Sequence, residues 1–235
     1  MSISWAAHRT RLLLIMFAAV LAVAGVLALT SQGASARASG SHAFHWGGGP
    51  KPVIVLVGHS YGGAVITNAA VGDPKVKALV FVDAFIPDQG ETLGGLLGSP
   101  PGAGSCVGGN PTDVFNLVPY PGAPPGDVDT YIKPSLVPGC FASGLPAPQA
   151  AVIAATQRPL AASTLQEASG APAWKTIPSW AVIGTQDRVI PPANQTFMAK
   201  RAGAHITDVN AGHLSLISKP SVVTRVILEA VQATG

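Results

Sequence analysis

Apolar residues in this chain gather in four short runs, of which the first is uninterrupted. The runs are Val53–Val57, Val76–Val82, Ile177–Gly184 and Ala204–Val209. Continuous apolar runs of this length are typical of strands that are covered on both faces, as in a parallel sheet. The helical patterns between and after them are Gly62–Val71, Pro191–Arg201 and Pro220–Ala233. This alternation predicts an α/β fold with a mainly parallel sheet flanked by helices.

Between the second and third runs the chain is dense in glycine and proline. Residues 87–145 show no sustained periodicity, and a structureless loop of this length is unusual inside a compact domain. We therefore predict that this segment forms a lid over the rest of the domain. Two short helical patterns follow within Pro146–Gly170, and Pro159 separates them.

The first 38 residues differ in character from the rest of the chain. His8, Arg9 and Arg11 precede the uninterrupted apolar run Leu12–Leu29, and small residues that suit cleavage follow it. This order is typical of a signal peptide, although the run is also long enough to span a bilayer. The predicted organisation is a signal peptide or signal anchor at 1–38, a linker at 39–51 and one folded domain at 52–235. We expect the domain to be secreted or extracytoplasmic, or alternatively to be anchored to a membrane by residues 12–29.

The charge distribution argues against nucleic acid as a partner. The 235-residue chain has a formal net charge of +3, but three of its 14 basic residues, Arg9, Arg11 and Arg37, lie in the leader. The remaining basic residues balance the 11 acidic ones and form no basic stripe. With 48% hydrophobic residues, the chain is expected to form a packed core. We expect membrane contact only through an uncleaved leader.

The two cysteines, Cys106 and Cys140, are candidates for a disulfide. An exported chain with an even number of cysteines favours a bridge, and the alternative is two unpaired, small apolar side chains. Neither cysteine lies near other metal-ligating residues. His42 and His45 stand in a glycine-rich stretch and are interpreted as linker, so no metal site is predicted.

Ser60 stands at the centre of a G-x-S-x-G motif, with Gly58 and Gly62 on either side. The motif directly follows a predicted strand and directly opens a predicted helix, which is the setting that a nucleophile elbow requires. The helix N-terminus favours developing negative charge, and the backbone N–H of Tyr61 could donate to an oxyanion. The alternative interpretation is a tight turn with an ordinary serine.

His213 is the preferred partner for Ser60, because it follows the fourth predicted strand at the edge of the sheet where active sites gather. His205 begins that strand at the opposite edge, and the side chain of His59 is expected to point away from Ser60. Two carboxylates could orient the base. Asp187 follows the third strand and gives the order Ser, Asp, His of known hydrolases, whereas Asp83 follows the second strand and stays open as an alternative acid or a turn-capping residue.

Four motifs in this order resemble the α/β-hydrolase fold superfamily, in particular its small serine esterase-like members and the relatives of plant hydroxynitrile lyases. They are VLVGHSYGGAVI, ALVFVDAFIPDQGE, IPSWAVIGTQDRVIPP and AGHLSLISKPSVV. The resemblance covers about residues 51–233. It implies that Ser60 is the nucleophile, Asp187 the acid, His213 the base, and Tyr61 the donor of half of the oxyanion hole.

The chain departs from that superfamily before the elbow. Members of the superfamily place several strands, and a loop written H-G or H-G-G-G that completes the oxyanion hole, ahead of the serine. Residues 30–52 have no room for them, so we expect an α/β-hydrolase fold that lacks the first strands. The stretch HWGGGP at residues 45–50 resembles such a loop, but the intervening strand would place it about 20 Å from Ser60. The first strand would then be an exposed edge, which a homo-oligomer could cover.

These features together predict an exported serine hydrolase, a carboxylesterase that acts on small apolar esters. The predicted partner is a small-molecule ester, and no metal or organic cofactor is implied. A truncated, catalytically weak or inactive remnant or binding module is one alternative. A lyase or perhydrolase on the same fold is another, because this fold carries several chemistries.

Overall fold

The computed structural model describes residues 53–98, 101 and 103–235. The predicted leader, the linker, His42, His45 and the HWGGGP stretch lie outside the described residues. At the centre is a parallel sheet of four strands, which confirms the α/β fold predicted from the apolar runs. Its strands are β1 (Ile54–His59), β2 (Val76–Val82), β6 (Ser179–Gly184) and β7 (His205–Val209).

Helices and a second, smaller sheet complete the described part of the chain. In chain order the helices are α1 (Gly62–Ala69), α2 (Leu93–Gly98), α3 (Pro111–Val114), α4 (Ala147–Thr156), α5 (Pro192–Arg201), α6 (Ser215–Ser218) and α7 (Pro220–Thr234). Two 3₁₀ turns lie at Ala162–Leu165 and Ala173–Lys175. The smaller sheet is made of β3 (Phe115–Val118), β4 (Asp129–Ile132) and β5 (Leu160–Ala161). None of these helices combines the length and the apolar character needed to cross a bilayer.

The four parallel strands lie in the order β1–β2–β6–β7, so each strand that joins the sheet lies beside the strand that joined before it. Strand β2 is central, and its residue Val80 pairs with Val57 of β1 and with Trp180 of β6. In the described part of the chain, β1 is one edge of this sheet. The carboxyl ends of all four strands share one edge, where a binding site is expected in such sheets.

Strand β2 buries both of its faces, which explains why its run is almost entirely apolar. Leu79 and Phe81 of β2 pack on one side in a cluster that includes Ile66 of α1 and Met198 of α5. On the opposite side the neighbouring β2 residues pack with helix α7, in a cluster that includes Val80, Val82, Val226 and Ala230. Because successive side chains point to opposite faces, a strand covered by helices on both sides needs an apolar residue at every position.

The predicted lid contains regular structure that its sequence pattern does not show. Residues 87–145 contain α2, α3 and the antiparallel pair β3–β4, and β5 extends this pair to a three-stranded sheet. The second helical pattern, after Pro159, is helical only in part: β5 occupies Leu160–Ala161, and a 3₁₀ turn follows at Ala162–Leu165. Leu160 pairs with Thr130 of β4, whose hydroxyl donates to the Leu160 carbonyl at 2.6 Å, so long-range pairing outweighs a weak local helical pattern.

The small sheet and its flanking helices, residues 103–165, are called the cap below. A disulfide between Cys106 and Cys140 joins two distant parts of the cap, with the Cα atoms 5.8 Å apart. The Cys106 N–H donates to the Arg188 carbonyl, and the Arg188 guanidinium donates to the Gly139 carbonyl at 2.7 Å. Both ends of the disulfide are therefore fastened to the loop that follows β6. The described residues hold no group of three or more side chains placed to bind a metal ion.

We expect the double variant Cys106→Ser/Cys140→Ser to lose about 3–4 kcal/mol in the free energy of unfolding, since the disulfide closes a loop with a sequence separation of 34. Urea unfolding followed by tryptophan fluorescence measures the difference. Adding a reductant should lower the stability of the wild type by a similar amount and leave the double variant unchanged. Equal stability of the two proteins under oxidising conditions would contradict the expected contribution.

Candidate active site

Ser60 occupies a tight turn between the end of β1 and the start of α1. Its backbone is left-handed, with φ of 54°. A Cβ added at Gly58 would lie 2.4 Å from the Gly62 carbonyl oxygen, so the crossing of strand and helix leaves no space for a side chain there. A left-handed non-glycine residue costs about 1–3 kcal/mol, and such strain persists only where the surroundings enforce it. The turn therefore has the geometry of a nucleophile elbow.

The backbone of this elbow is fixed by the neighbouring strand. The Ser60 N–H donates to the Val82 carbonyl, and the Ser60 carbonyl accepts from the Phe85 N–H at 3.2 Å. A Cβ added at Gly63 would lie 2.1 Å from the Phe85 carbonyl oxygen, which shows how closely helix α1 approaches this turn. The turn after β2, which contains Asp83, thus supports the elbow directly.

The structure brings Ser60, His213 and Asp187 into one hydrogen-bonded line. His213 Nε2 lies 2.9 Å from Ser60 Oγ, and His213 Nδ1 lies 2.8 Å from Asp187 Oδ2. The loop after β7 carries His213, whose side chain is fully buried. With the Nδ1 proton donated to Asp187, Nε2 is free to accept the Ser60 proton. Three strands of one sheet therefore supply the three groups from their carboxyl ends.

Asp187 is held by donors that sequence reasoning did not identify. Its Oδ1 accepts from the backbone N–H groups of Val189 and Ile190, at 2.8 and 3.0 Å. Its Oδ2 accepts from the Gln195 side chain at 2.7 Å in addition to His213. Gln195 is 2% exposed in the first turns of α5, and a buried amide so close to a buried carboxylate is the signal that could have identified it.

Asp83, the alternative acid, does not contact the His213 ring. Its Oδ1 accepts from the Gly184 N–H at 2.8 Å, and its Oδ2 accepts from the Ser215 N–H at 3.0 Å. Ser215 is the first residue of α6, so the carboxylate caps that helix from a distant part of the chain. Of the two carboxylates left open by the sequence, the structure pairs Asp187 with His213.

The other two histidines of the described chain lie apart from the Ser60 hydroxyl. His205 is exposed, and its ring lies 5.0 Å from that of Trp180. His59 does not bond to Ser60, but it is buried and its Nε2–H donates to the His213 carbonyl at 2.8 Å. Its ring centroid is 4.8 Å from that of His213. Nothing local in the sequence indicates this contact, because it joins residues 154 positions apart.

Burial and neighbouring charges act on three titratable groups here. Burial, reinforced by the charge of His213, lowers the pKa of His59 to about 3, so this ring is neutral at physiological pH. Burial raises the pKa of Asp83 to about 7, although the charge of His213 and the Ser215 N–H oppose the shift. Burial also acts to lower the pKa of His213. This effect is outweighed by the charge and the hydrogen bond of Asp187, together with the charge of Asp83, so the pKa of His213 is raised.

A cavity of about 130 Å³ opens beside Ser60, beneath the cap. Most of the side chains that line it are apolar, and they come from both the cap and the sheet. They include Tyr61, Phe85, Leu97, Val107, Phe115, Ile132, Val137, Phe141, Ile153, Leu160, Leu165 and Val189. Tyr120, in the turn between β3 and β4, does not line the cavity, and its hydroxyl donates to Asp127.

Tyr61 lies where an oxyanion donor is expected. It directly follows Ser60 at the N-cap of α1, and its side chain lines the cavity. Among the described residues, its backbone N–H has no hydrogen-bond partner. This N–H, at the N-terminus of a helix, is available to a negative charge that develops beside Ser60.

The sequence matches the profile of a family described as "Alpha/beta hydrolase family" over residues 5–226. That match begins within the segment expected to be a leader. A carbendazim hydrolyzing esterase from Nocardioides sp. (strain SG-4G) is 53% identical over 45 residues, which are 19% of each chain. The match therefore spans less than a fifth of the length of that curated relative.

Two solved structures show the same fold at low identity. A methylesterase from Arabidopsis has 17% identity and a TM-score of 0.59, over 77% of this chain and 70% of its own. A pyrethroid hydrolase from Sphingobium faniae JZ-2 has 20% identity and a TM-score of 0.57, over 77% of this chain and 72% of its own.

The steric requirement at the elbow can be tested at Gly58. We expect Gly58→Ala to lower the free energy of unfolding by about 3 kcal/mol, because the new methyl group would overlap the Gly62 carbonyl. Gly139→Ala is the matched control, since a Cβ there meets no atom within 4 Å and should change stability by less than about 0.5 kcal/mol. Thermal and urea unfolding compare the two variants, and equal effects would contradict the close approach.

The opposite pKa shifts of His59 and Asp83 predict opposite pH dependences. The pKa of His59 falls from 6.5 to about 3 on folding, so its contribution to stability is lost as the pH falls below about 6.5. The pKa of Asp83 rises from 3.8 to about 7, so its contribution is present at low pH and is lost as the pH rises towards 7. Between about pH 4 and 6 the two effects oppose each other in the wild type.

Relative to the wild type, Asp83→Asn should therefore lose stability on acidification from pH 6 to 4, by about 1.4 kcal/mol per pH unit. His59→Gln should gain stability over the same interval. Urea unfolding at several pH values measures both slopes. Parallel curves for the two variants and the wild type would contradict the assigned shifts.

Proposed function

The chain belongs to the alpha/beta hydrolase family, and on that basis we propose that it is a serine carboxylesterase that acts on small apolar esters. The observation that carries the proposal is the line of contacts from Ser60 Oγ through His213 to Asp187, with bonds of 2.9 and 2.8 Å. The serine end of this line opens into an apolar cavity. The nucleophile, the base and the substrate site are thus adjacent.

In the proposed reaction Ser60 Oγ attacks the carbonyl carbon of the ester while its proton passes to His213 Nε2. The imidazolium that forms is stabilised by Asp187, which also keeps the Nδ1 proton in place. Gln195 and the two backbone N–H groups on Asp187 fix the carboxylate, so the ring of His213 has one orientation. His213 then donates the proton to the leaving alcohol.

A water molecule releases the acyl group in the second half of the reaction. His213 Nε2 takes a proton from the water, which attacks the acyl carbon, and Ser60 Oγ leaves with the proton from the imidazolium. In both halves the Tyr61 N–H donates to the oxyanion. One donor of this kind is worth about 10²–10³ in rate in a comparable hydrolase, so Tyr61 alone gives a substantial part of the stabilisation.

The size and lining of the cavity support a small, apolar substrate. Its volume of about 130 Å³ is below the roughly 300–1,000 Å³ of sites for drug-sized ligands. Phe85, Phe115 and Phe141 present aromatic surface, and among the described residues Arg158 is the one charged member of the lining. The names of the similar proteins, a methylesterase, a pyrethroid hydrolase and a carbendazim hydrolyzing esterase, agree with ester chemistry.

We also propose that the protein works outside the cytoplasm, either secreted or anchored by residues 12–29. The disulfide between Cys106 and Cys140 supports this location, because such bonds persist in oxidising compartments. A second copy of the chain is proposed to cover the outer edge of β1, which pairs with β2 on one side.

A fluorophosphonate probe tests the nucleophile in the full-length chain. We expect the wild type to be labelled and Ser60→Ala to remain unlabelled, since the probe bonds covalently to an activated serine. Ser221→Ala is the control, because Ser221 is exposed on α7 and away from the site. Labelling is read by intact-protein mass spectrometry. A folded wild type that is not labelled would overturn the proposal and favour a non-catalytic binding module.

Hydrolysis of p-nitrophenyl esters with acyl chains of increasing length tests the substrate class. We expect acetate and butyrate esters to be cleaved and long-chain esters to be poor substrates, because the cavity is small. Asp187→Asn should lower kcat by about 10⁴-fold, as expected when the base loses its orienting carboxylate. A labelled protein that cleaves none of these esters would point to a lyase or perhydrolase reaction at the same serine.

A further inference from the structure

Two buried side chains outside the Ser60–His213–Asp187 line contact the loop that carries His213. His59, at the end of β1, donates from Nε2 to the carbonyl of His213 at 2.8 Å. Asp83, just after β2, accepts from the N–H of Ser215 at 3.0 Å. The two contacts lie on the backbone at His213 and two residues beyond it. These two hydrogen bonds therefore fix the main chain of the loop, independently of the contacts that the His213 ring makes.

The carboxylate of Asp83 also connects two strands to this loop. Its other oxygen accepts from the N–H of Gly184, at the carboxyl end of β6, at 2.8 Å. A Cβ added at Gly184 would lie 3.0 Å from Asp83 Oδ1 and 2.8 Å from the carbonyl oxygens of Ala211 and Gly212. The carboxylate, the strand end and the loop are thus in close packing, and a shift of Asp83 would move the loop.

Asp83 has an unusual backbone conformation for this role. Its φ is 44°, and in the described residues Ser60 is the only other non-glycine residue with a positive φ. Aspartate and asparagine adopt this conformation more readily than other side chains do. The strained turn brings the carboxylate to the N–H groups of Gly184 and Ser215. The residues on either side of Asp83 also bond to the Ser60 backbone: the Val82 carbonyl accepts from the Ser60 N–H, and the Phe85 N–H donates to the Ser60 carbonyl.

We propose that Asp83 and His59 form a clamp that positions His213 for catalysis, in which the Asp83 carboxylate accepts from the backbone of the loop and the His59 ring donates to it. This inference rests on the proposed serine hydrolase function. The clamp fixes the main chain at His213 and two residues beyond it, while Asp187 fixes the ring. Neither clamp residue lines the cavity, so both act through His213 and not on the substrate.

The charge of Asp83 gives the clamp an electrostatic effect that a purely structural contact would not have. Among the described residues, three titratable groups face His213: Asp187 from the loop after β6, Asp83 from the end of β2 and His59 from the end of β1. Phe141 also packs beside His213, with its uncharged ring 5.2 Å from the imidazole. Burial acts to lower the pKa of His213, and the carboxylates of Asp187 and Asp83 together raise it. His59 stays neutral because burial lowers its own pKa to about 3.

The first test compares Asp83→Asn with Asp208→Asn in the full-length chain. Asparagine keeps the shape and the left-handed backbone but loses the charge and one of the two acceptors. Asp208 is an exposed carboxylate on β7, so its replacement changes the net charge equally without touching the clamp. We expect Asp83→Asn to lower kcat by about 10²-fold, the cost of a slightly misplaced catalytic group, with KM unchanged. Asp208→Asn should behave as the wild type.

The pH profile separates the clamp from a structural role. His213 must be neutral to accept the Ser60 proton, so the acid limb of kcat/KM reports its titration. Removing the negative charge of Asp83 should lower the pKa of His213 and move this limb to lower pH. A lower kcat without a displaced limb, or a rise in KM alone, would overturn the clamp.

The second test uses two substitutions of His59. Glutamine can place an N–H donor near the position of His59 Nε2, whereas leucine has a similar size and no donor. We expect His59→Gln to keep most of kcat and His59→Leu to lose about 10²-fold. Equal activity of the two variants, with melting temperatures near that of the wild type, would contradict the role of the Nε2–H contact with the His213 carbonyl.

A measurement without turnover distinguishes failure of the clamp from failure of the hydrolase proposal. NMR titration of ¹⁵N-labelled histidine, in a Ser60→Ala background, gives the pKa of His213 with and without Asp83→Asn. The signal of His213 is identified by its absence in His213→Asn. A lower pKa after Asp83→Asn supports the clamp even if no ester is cleaved. An unchanged pKa overturns it even if the wild type is an active esterase.

Discussion

The left-handed backbone at Ser60 is the conformation around which the described structure is organised. The strand–turn–helix crossing leaves no room for a side chain at Gly58, and it directs Ser60 Oγ away from the sheet towards His213. The strain of this turn is balanced by hydrogen bonds to β2, through the Val82 carbonyl and the Phe85 N–H. The same turn after β2 carries Asp83, which bonds to the loop of His213. Ser60 and His213 are thus linked through the main chain as well as through their side chains.

Much of the central architecture could be predicted from the sequence because its signals are local. Continuous apolar runs identify strands buried on both faces, and the glycines around Ser60 identify the elbow between strand and helix. The cap could not be predicted in the same way. Strand β3 is mostly exposed and β5 has two residues, so neither shows a period, and pairing with β4 determines their structure. Likewise, Gln195 approaches Asp187, and Asp83 approaches Ser215, only after the chain has folded. The choice between Asp83 and Asp187 needed the distances, because both residues follow buried strands of the same sheet.

The buried polar groups of the site differ in how their burial is compensated. Asp187 receives two backbone N–H groups, an amide and His213, so its carboxylate is well provided with donors. Asp83 receives two backbone N–H groups, and burial still raises its pKa to about 7. An ionised Asp83 therefore makes the fold less stable at neutral pH than a protonated one would. The Asp83 carboxylate thus lowers the stability of the fold when it is ionised, and it lies beside a candidate base. Buried charges of this kind are expected at sites where function and stability compete.

The attachment of the cap has a consequence for how the protein could diversify. Arg188, next to Asp187, forms hydrogen bonds with Cys106 and with Gly139, which lie at the two ends of the disulfide-linked region. This part of the cap and the loop after β6 therefore form one structural unit. The turn between β3 and β4 is different: it is closed by the contact of Tyr120 with Asp127, within the cap itself. Insertions or changes in this turn would alter the outer cap without reaching Asp187 or His213. Relatives of this chain could therefore differ in the sequence and length of the β3–β4 turn while the arrangement of Ser60, His213 and Asp187 is kept.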